Sequence, residues 1–234
     1  IMPRISRPMV TYGLSINSDI QALNIKYDKN KMFFKVKDNK YKHKEFEIRI
    51  NFPGEHFVRN TLAAIAIGLE YNVSIHNIQK ALANFKGVAR RYQIYDDILI
   101  KDKKIKVIDD YGHHPTEIKA VIKATKKGYK NKKIHLVFQP HRFSRTRDCY
   151  DYFIKVLKVP DSIFLFDIYS AGESSIDNIS SENLLKDISH PSKYYLPNFK
   201  DAKKIIFDLI EDDSILIIMG AGSIGNFTKQ IIER

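Results

Sequence analysis

Cysteine is almost absent from this chain of 234 residues, since Cys149 is the only one. A single cysteine excludes a disulfide framework and favours a reducing compartment, so we expect a cytoplasmic location. Long apolar runs are also lacking, because no stretch approaches the roughly 20 residues that cross a bilayer. Residues 1–4 are not followed by the apolar region of a signal peptide. These absences predict a protein without a membrane partner.

Negative charge is in short supply, with 27 Asp and Glu against 39 Lys and Arg and a net charge of +12. Excess cations favour an anionic partner. The lysine clusters at 40–44, 101–106 and 126–133 fall where turns or helix ends are expected. No aromatic residues interleave with arginine, as they would in a stacking platform for nucleic acid. We therefore expect phosphate-bearing small molecules and no nucleic acid; a basic nucleic-acid-binding module is an alternative that only the net charge supports.

The first third of the sequence carries two patterns. Alternating apolar and polar residues predict a meander of short antiparallel strands at about 9–16, 22–28, 31–37 and 45–51. Helical spacing follows at Val58, Leu62, Ile65 and Leu69. A second helix is predicted at 74–84, with Ser74 as its N-cap.

From Arg90 onward, apolar strands alternate with amphipathic helices. The strands are predicted at 104–109, 134–138, 163–168, 193–196 and 215–219. The helices are predicted at 116–127, 147–157, 181–188 and 201–210. This alternation predicts an α/β fold with a Rossmann-like, mostly parallel sheet and helices on both faces. A domain boundary near 86–88 gives two predicted domains, 1–88 and 89–234.

Polar residues follow four of the predicted parallel strands, at 109–117, 139–146, 169–173 and 220–225. Ligands of open parallel sheets bind outside the carboxyl ends of the strands. Four polar strand ends in one sheet therefore predict a functional site at that edge.

The first of these segments also has an ordinary structural explanation. Pro115 could simply begin a helix, with Glu117 facing the helix dipole. His113 and His114 are adjacent and so point apart, and no third ligand stands at a recognised spacing. We therefore expect no metal site.

Arg142 and Arg145 are three residues apart at a predicted helix start, where both could reach one anion. A guanidinium offers a planar, two-pronged donor to a carboxylate or phosphate. Two arginines at the positive end of a helix are locally unfavourable, so we expect an anionic ligand there.

The glycine pattern at 220–225 matches the dinucleotide-binding fingerprint, so a stand-alone dinucleotide-binding protein is an alternative. The true fingerprint is followed by a second strand that ends in an acidic residue. The chain ends at Arg234 without either feature, so we expect a tight glycine turn between the last strand and the last helix.

Several long strings together resemble the Mur ligases, and among them the alanine-adding members. They occupy residues 54–64, 85–92, 109–117, 138–147, 168–173 and 219–222, in the order found in that family. The most specific are Asp-Asp-Tyr-Gly-His-His-Pro-Thr-Glu and Gln-Pro-His-Arg-Phe-Ser-Arg-Thr. The Tyr-Gly pair before His113 favours the alanine-adding members over the recycling tripeptide ligase, which stays an alternative.

The resemblance implies an ATP-dependent ligase of three domains that joins L-alanine to UDP-N-acetylmuramate through an acyl phosphate. Residues 1–88 would be the last part of the central ATPase domain and 89–234 the amino-acid-binding domain. The phosphate loop of the family ends in Gly-Lys-Thr or Gly-Lys-Ser, and neither occurs in this sequence. The residues that hold Mg²⁺ are likewise expected upstream, so this chain alone is expected to be inactive.

The resemblance also implies roles for individual residues. Asn60 would contact the adenine of ATP, although Phe57 stands where the family often has a second asparagine. Arg91 would reach the ATP phosphates, and Asp110 would meet the nucleotide. The amino acid would be bound by Tyr111, His113, Arg142 and Arg145. Asp110 and His113 are the implied catalytic residues.

Overall fold

The computed structural model describes residues 6–28 and 30–233. The chain divides into two compact units, of which the first ends at Lys86 and the second begins at Gly87. Within the described residues, no helix is both long and apolar enough to cross a membrane.

The first unit is a four-stranded sheet covered by helices. Its strands lie in sequence order: β1 (Tyr12–Gly13), β2 (Ile20–Asp28), β3 (Lys31–Asp38) and β4 (Phe46–Ile50). The helices are α1 (Glu55–Glu70) and α2 (Ile75–Asn84). Alternate residues of β3, including Met32 and Phe34, pack in one core with Val58 and Leu62 of α1. The Ser74 hydroxyl accepts from the Asn77 N–H, so the predicted N-cap of α2 is confirmed.

The predicted first strand at 9–16 is wrong in length and direction. β1 has only two residues and pairs with β2 in parallel. The Asp19 carboxylate accepts from both the backbone N–H and the hydroxyl of Thr11, each at 2.7 Å. These two bonds hold the start of β1 beside the start of β2, as a parallel pair requires, in place of the predicted hairpin.

The second unit is a six-stranded sheet with helices on both faces. Its strands are β5 (Gln93–Ile100), β6 (Lys103–Asp110), β7 (Ile134–Phe138), β8 (Ser162–Phe166), β9 (Lys193–Leu196) and β10 (Ile215–Met219). The helices are α3 (Pro115–Gly128), α4 (Phe143–Asp148), α5 (Tyr150–Leu157), α6 (Ser181–Asp187), α7 (Phe199–Leu209) and α8 (Ile224–Ile232). The spatial order is β5-β6-β10-β7-β8-β9, and only β5 runs antiparallel. The predicted mostly parallel α/β fold is therefore confirmed.

Neighbouring residues of β7 show how both faces of this sheet are covered, since successive side chains of a strand point to opposite faces. Val137 belongs to the core that contains residues of α7 and α8. Phe138 points to the other face, where its ring lies 5.6 Å from that of Phe153 in α5. Residues of a strand that is buried on both sides are apolar without alternation, as the sequence shows.

Two elements differ from the prediction. Strand β5 is not predicted, because a bulge between Tyr95 and Ile98, with Asp97 at φ 58°, breaks its alternation. The predicted helix at 147–157 is two helices, α4 and α5. The backbone leaves helical geometry at Cys149, where φ is −111° and ψ is 15°.

Candidate functional site

The four polar strand ends meet at one edge of the second sheet, because β6, β10, β7 and β8 are neighbours. Backbone bonds continue the pairing beyond the strands. Gly220 donates to the Asp110 carbonyl at 3.2 Å, and Arg142 donates to the Tyr169 carbonyl at 2.8 Å. A β-bridge between His141 and Tyr169 joins the segments that follow β7 and β8. The loops that carry the polar residues are therefore held together by their own backbones.

Aromatic rings and a guanidinium form a continuous row at this edge. The His113 ring lies 5.7 Å from that of Tyr111 and 5.6 Å from that of His141, which stacks on Tyr169 at 5.4 Å. One terminal nitrogen of Arg145 lies 3.2 Å from His141 Nδ1 and 3.1 Å from the His141 carbonyl. Because a guanidinium can only donate, His141 Nδ1 accepts, and the neutral ring carries its proton on Nε2.

The pKa of His141 is lowered by burial first, and then by the neighbouring His113 and Arg145. A neutral His141 is compatible with the donor that faces its Nδ1. We call Tyr111, His113, His141, Arg142 and Arg145 the strand-end cluster. It presents aromatic surface beside two cations, which suits a small ligand that has an apolar part and a carboxylate.

Arg142 stands just before α4, with φ at 74° and its side chain 50% exposed. Its nearest carboxylate is Glu173, at 3.9 Å. Glu173 accepts from the Ser144 N–H at 2.9 Å and from the Ser144 hydroxyl at 2.6 Å. These bonds, led by that of the hydroxyl, lower the pKa of Glu173. Glu173 thus places one negative charge near this helix start, and the anionic ligand that we expect there stays a prediction.

Asp110 is buried, with 5% of its surface exposed. Its two oxygens accept from the backbone N–H groups of Tyr92, at 2.8 Å, and Gly112, at 2.7 Å. Burial raises its pKa. A side chain on Gly112 would place Cβ only 2.7 Å from Asp110 Oδ1. Asp110 therefore ties the backbone just after Tyr111 to the backbone at Tyr92, and its nucleotide contact stays a prediction.

Two arginines enclose Tyr111, with both guanidinium carbons 5.4 Å from its ring centre. Arg90, which was not predicted, lies 3.3 Å from Asp109 and donates to the Gly220 carbonyl at 2.6 Å. Arg91 is half-exposed and lies 3.6 Å from Glu117. Arg90 thus links the ends of β6 and β10, whereas Arg91 is held loosely enough to meet a ligand.

Glu117 caps the start of α3, as predicted. It accepts from the N–H groups of His113 and His114, both at 2.9 Å, and His114 Nδ1 accepts from Thr116 at 3.2 Å. The two histidines diverge, since His113 faces the cluster and His114 lies 3.6 Å from Cys149. Over residues 6–28 and 30–233, no three His, Cys, Asp or Glu side chains are placed to hold a metal. Guanidinium, imidazole and phenol groups do not suit Mg²⁺, which prefers oxygen ligands.

The glycine pattern after β10 forms a packed turn. Gly220 has φ at 148°, and a Cβ on Gly222 would lie 2.5 Å from Tyr169. The Gln139 amide oxygen accepts from the N–H of Ile224, the first residue of α8, at 3.0 Å. The place where a dinucleotide fingerprint would hold pyrophosphate is therefore occupied by a side chain.

Asn60 lies in the first unit, on the exposed side of α1, whereas the other predicted site residues all lie in the second unit. The ring of Phe57 packs 5.1 Å from that of Phe52 and 4.3 Å from that of His56. The assignments of Asn60 and Arg91 to ATP stay predictions.

Sequence reasoning missed four residues that organise this edge: Arg90, Gln139, His141 and Glu173. Gln139, His141 and Glu173 lie inside the polar strand ends and could have been chosen from them. Arg90 lies outside these segments, and its partner Gly220 is 130 residues away along the chain.

Two protein-family models match the chain. Residues 90–222 match the Mur ligase, glutamate ligase domain, and residues 2–68 match the Mur ligase middle domain. Among curated relatives, the UDP-N-acetylmuramate–L-alanine ligase of Hydrogenovibrio crunogenus is 40% identical over 232 residues. That alignment covers 98% of this chain and 50% of the relative. The chain thus spans about half the length of the curated relatives it matches.

Solved structures show the same relationship. The UDP-N-acetylmuramate-alanine ligase of Thermotoga maritima aligns with a TM-score of 0.77 at 26% identity, over 96% of this chain and 47% of that one. A murein peptide ligase from Psychrobacter arcticus aligns with a TM-score of 0.62 at 24% identity, over 94% of this chain and 45% of that one. Because the murein peptide ligase is only 24% identical, its similarity to this chain shows the fold alone.

Proposed function

The chain belongs to the Mur ligase family, and we propose that it supplies the amino-acid site of an ATP-dependent ligase that joins L-alanine to UDP-N-acetylmuramate. The observation that carries this proposal is the strand-end cluster, where Arg142 and Arg145 stand beside aromatic rings at the carboxyl edge of the sheet. We further propose that residues 1–88 form the end of the central ATPase domain and 89–234 the amino-acid-binding domain.

The proposed reaction has two steps. The substrate carboxylate first takes the γ-phosphoryl group of ATP and becomes an acyl phosphate. The alanine nitrogen then attacks the acyl carbon with its lone pair, the carbon–oxygen bond to phosphate breaks, and the nitrogen loses a proton. The protein's task in the second step is to hold the amine near the acyl carbon, which is a matter of positioning and electrostatics.

The two arginines suit this task in different ways. Arg145 is anchored through one terminal nitrogen by His141, and its remaining N–H groups can meet a carboxylate. Arg142 is half-exposed and lies 3.9 Å from Glu173, a distance too long for a direct hydrogen bond. An amino-acid carboxylate can therefore recruit Arg142 without breaking a strong contact. Tyr111 and His113 would then border the alanine methyl and amine groups.

The remaining assignments follow from family membership. Asn60 would contact adenine, Arg91 would reach the ATP phosphates, and Asp110 would meet the nucleotide. Magnesium would be held by residues outside this chain. Because no Gly-Lys-Thr or Gly-Lys-Ser occurs here, we propose that these 234 residues alone do not hydrolyse ATP.

A phosphate-release assay tests the proposal. The 234-residue chain and a full-length protein that contains it would each be given ATP, Mg²⁺, UDP-N-acetylmuramate and either L-alanine or a tripeptide. We expect alanine-dependent release from the full-length protein and background release from the chain alone. Turnover by the chain alone would contradict the proposal that these 234 residues do not hydrolyse ATP. A preference for the tripeptide would assign the recycling activity instead.

A further inference from the structure

The outer face of the first sheet is unusually basic. Along β3, Lys31, Phe33, Lys35 and Lys37 alternate with buried residues and so point outward together. The register places Lys26 and Arg49 directly on either side of Phe33. We call Lys26, Lys31, Phe33, Lys35, Lys37 and Arg49 the basic sheet face. Two carboxylates, Asp28 and Glu47, lie in the same cross-strand rows.

Two of the five cations of this face stand opposite a carboxylate, Lys31 opposite Asp28 and Lys35 opposite Glu47. In the part of the chain that the structure describes, none of the five forms a salt bridge or a side-chain hydrogen bond. Several lysines of the second unit, by contrast, do pair with aspartates. These pairs are Lys101–Asp208, Lys104–Asp97, Lys106–Asp96, Lys132–Asp213 and Lys133–Asp161. A high lysine content therefore does not by itself leave lysines unpaired in this protein, and the basic sheet face calls for its own explanation.

Phe33 gives the face an apolar centre. Its side chain is 38% exposed, in the middle of the row formed with Lys26 and Arg49. A bulge between Leu23 and Lys26 bends β2 beside this row. An open groove of about 1010 Å³ lies here, and Lys26, Phe33, Lys35 and Arg49 line it together with one carboxylate, that of Glu47. Cations therefore surround an aromatic ring on this face, both along β3 and across the neighbouring strands.

We propose that the basic sheet face binds an extended acidic segment of a partner protein, with one apolar side chain of that segment on Phe33. Same-face residues of an extended strand repeat every ~6.6–6.8 Å, so alternate carboxylates of an extended peptide match the repeat of Lys31, Lys35 and Lys37. Single-stranded nucleic acid fits less well, because it stacks successive bases on several aromatic rings. This face offers one.

Fluorescence anisotropy with labelled probes tests the proposal on the whole 234-residue chain. The probe is a nine-residue peptide of eight glutamates with a central leucine. The comparison probes are the same peptide with glutamines and a nine-nucleotide oligo-dT. The test variant carries Lys26→Glu and Lys35→Glu, and the matched control carries Lys119→Glu and Lys123→Glu on the exposed side of α3.

We expect the acidic peptide to bind at low salt and to weaken as salt rises, since exposed charges are screened. The test variant should lose about tenfold or more in affinity, and the control should stay within about twofold. Phe33→Ala should weaken binding by a few-fold at every salt concentration. If the test variant unfolds, Lys26→Gln with Lys35→Gln replaces it. Equal binding of the glutamine peptide, tighter binding of oligo-dT, or equal loss in the control would overturn the proposal.

Discussion

Replacing Asp110 with asparagine separates a structural role from a catalytic one. The two carboxylate oxygens of Asp110 accept one hydrogen bond each, from the backbone N–H groups of Tyr92 and Gly112. Asparagine has one acceptor oxygen, so one of these N–H groups would face an NH₂ group and lose its partner. Little water can reach the site to compensate, because only 5% of the residue is exposed.

The size of the effect follows from these contacts. A hydrogen bond to a charged group contributes about 1.5–3 kcal/mol, and one such bond is lost. Burial raises the pKa of Asp110, so the native protein bears a cost for the buried charge that asparagine avoids. We therefore expect a net loss of about 2 kcal/mol. For a domain of roughly 150 residues this lowers the melting temperature by about 4–8 °C.

Thermal unfolding of the 234-residue chain, followed by circular dichroism, measures this loss. Asp148→Asn is the matched control, because Asp148 is exposed and pairs only with its neighbour Arg147. The control should stay within about 0.5 kcal/mol of the native chain. If Asp110→Asn were as stable as the control, the proposed support of the Tyr111 backbone would be refuted. A direct nucleotide contact would then be the better explanation of Asp110.

Three further expectations concern pH, cofactor choice and Glu173. Burial lowers the pKa of His135, whose contact with Glu211 at 2.7 Å lacks hydrogen-bond geometry. The folded state therefore binds fewer protons than the unfolded state, so the free energy of unfolding should fall as pH drops below about 6.5. The fall should be smaller in His135→Gln. Melting curves at pH 7.5 and 5.5 check this. Calorimetry should detect no micromolar binding of NAD or NADP, because Gln139 caps the helix that follows the glycine turn. In a full-length protein, Glu173→Gln should raise the KM for alanine. The control Glu182→Gln should not, because Glu182 is exposed and pairs with Lys186. Equal effects of the two substitutions would mean that Glu173 does not position the strand-end cluster.

Most of the second unit could be predicted because its strands are buried on both faces. Strands β7 and β10 are predicted at their observed bounds, since continuous apolar runs between polar turns leave little choice. The start of α3 could also be predicted from the sequence, because Pro115 and Glu117 both stabilise it from within the first helical turn. Local signals of this kind do not depend on the rest of the fold.

Features that depend on distant partners could not be predicted. The parallel pairing of β1 with β2 is accompanied by two hydrogen bonds from Thr11 to the side chain of Asp19, eight residues along the chain. The capping of α8 by Gln139 joins residues 85 apart in the chain. At the start of α4, two arginines predict a bound anion, but the sequence does not show that Glu173, 29 residues beyond Ser144, also lies there. Charge patterns in a sequence show that a partner is needed without showing whether it is internal.

The amino-acid site itself is tested most directly by Arg142→Lys in a full-length protein. Lysine keeps the charge but cannot form a forked pair of hydrogen bonds. Arg147→Lys is the matched control, since Arg147 is also exposed and lies in α4.

Steady-state kinetics with L-alanine and with UDP-N-acetylmuramate varied in turn give the decisive comparison. Loss of one charge-assisted contact, worth about 1.5–3 kcal/mol, should lower kcat/KM for alanine roughly ten- to hundredfold in Arg142→Lys. The KM for the UDP-sugar should barely change, and Arg147→Lys should match the native enzyme. Alanine kinetics within twofold of native, or a shift in the UDP-sugar KM instead, would contradict the assignment of the strand-end cluster to the amino acid.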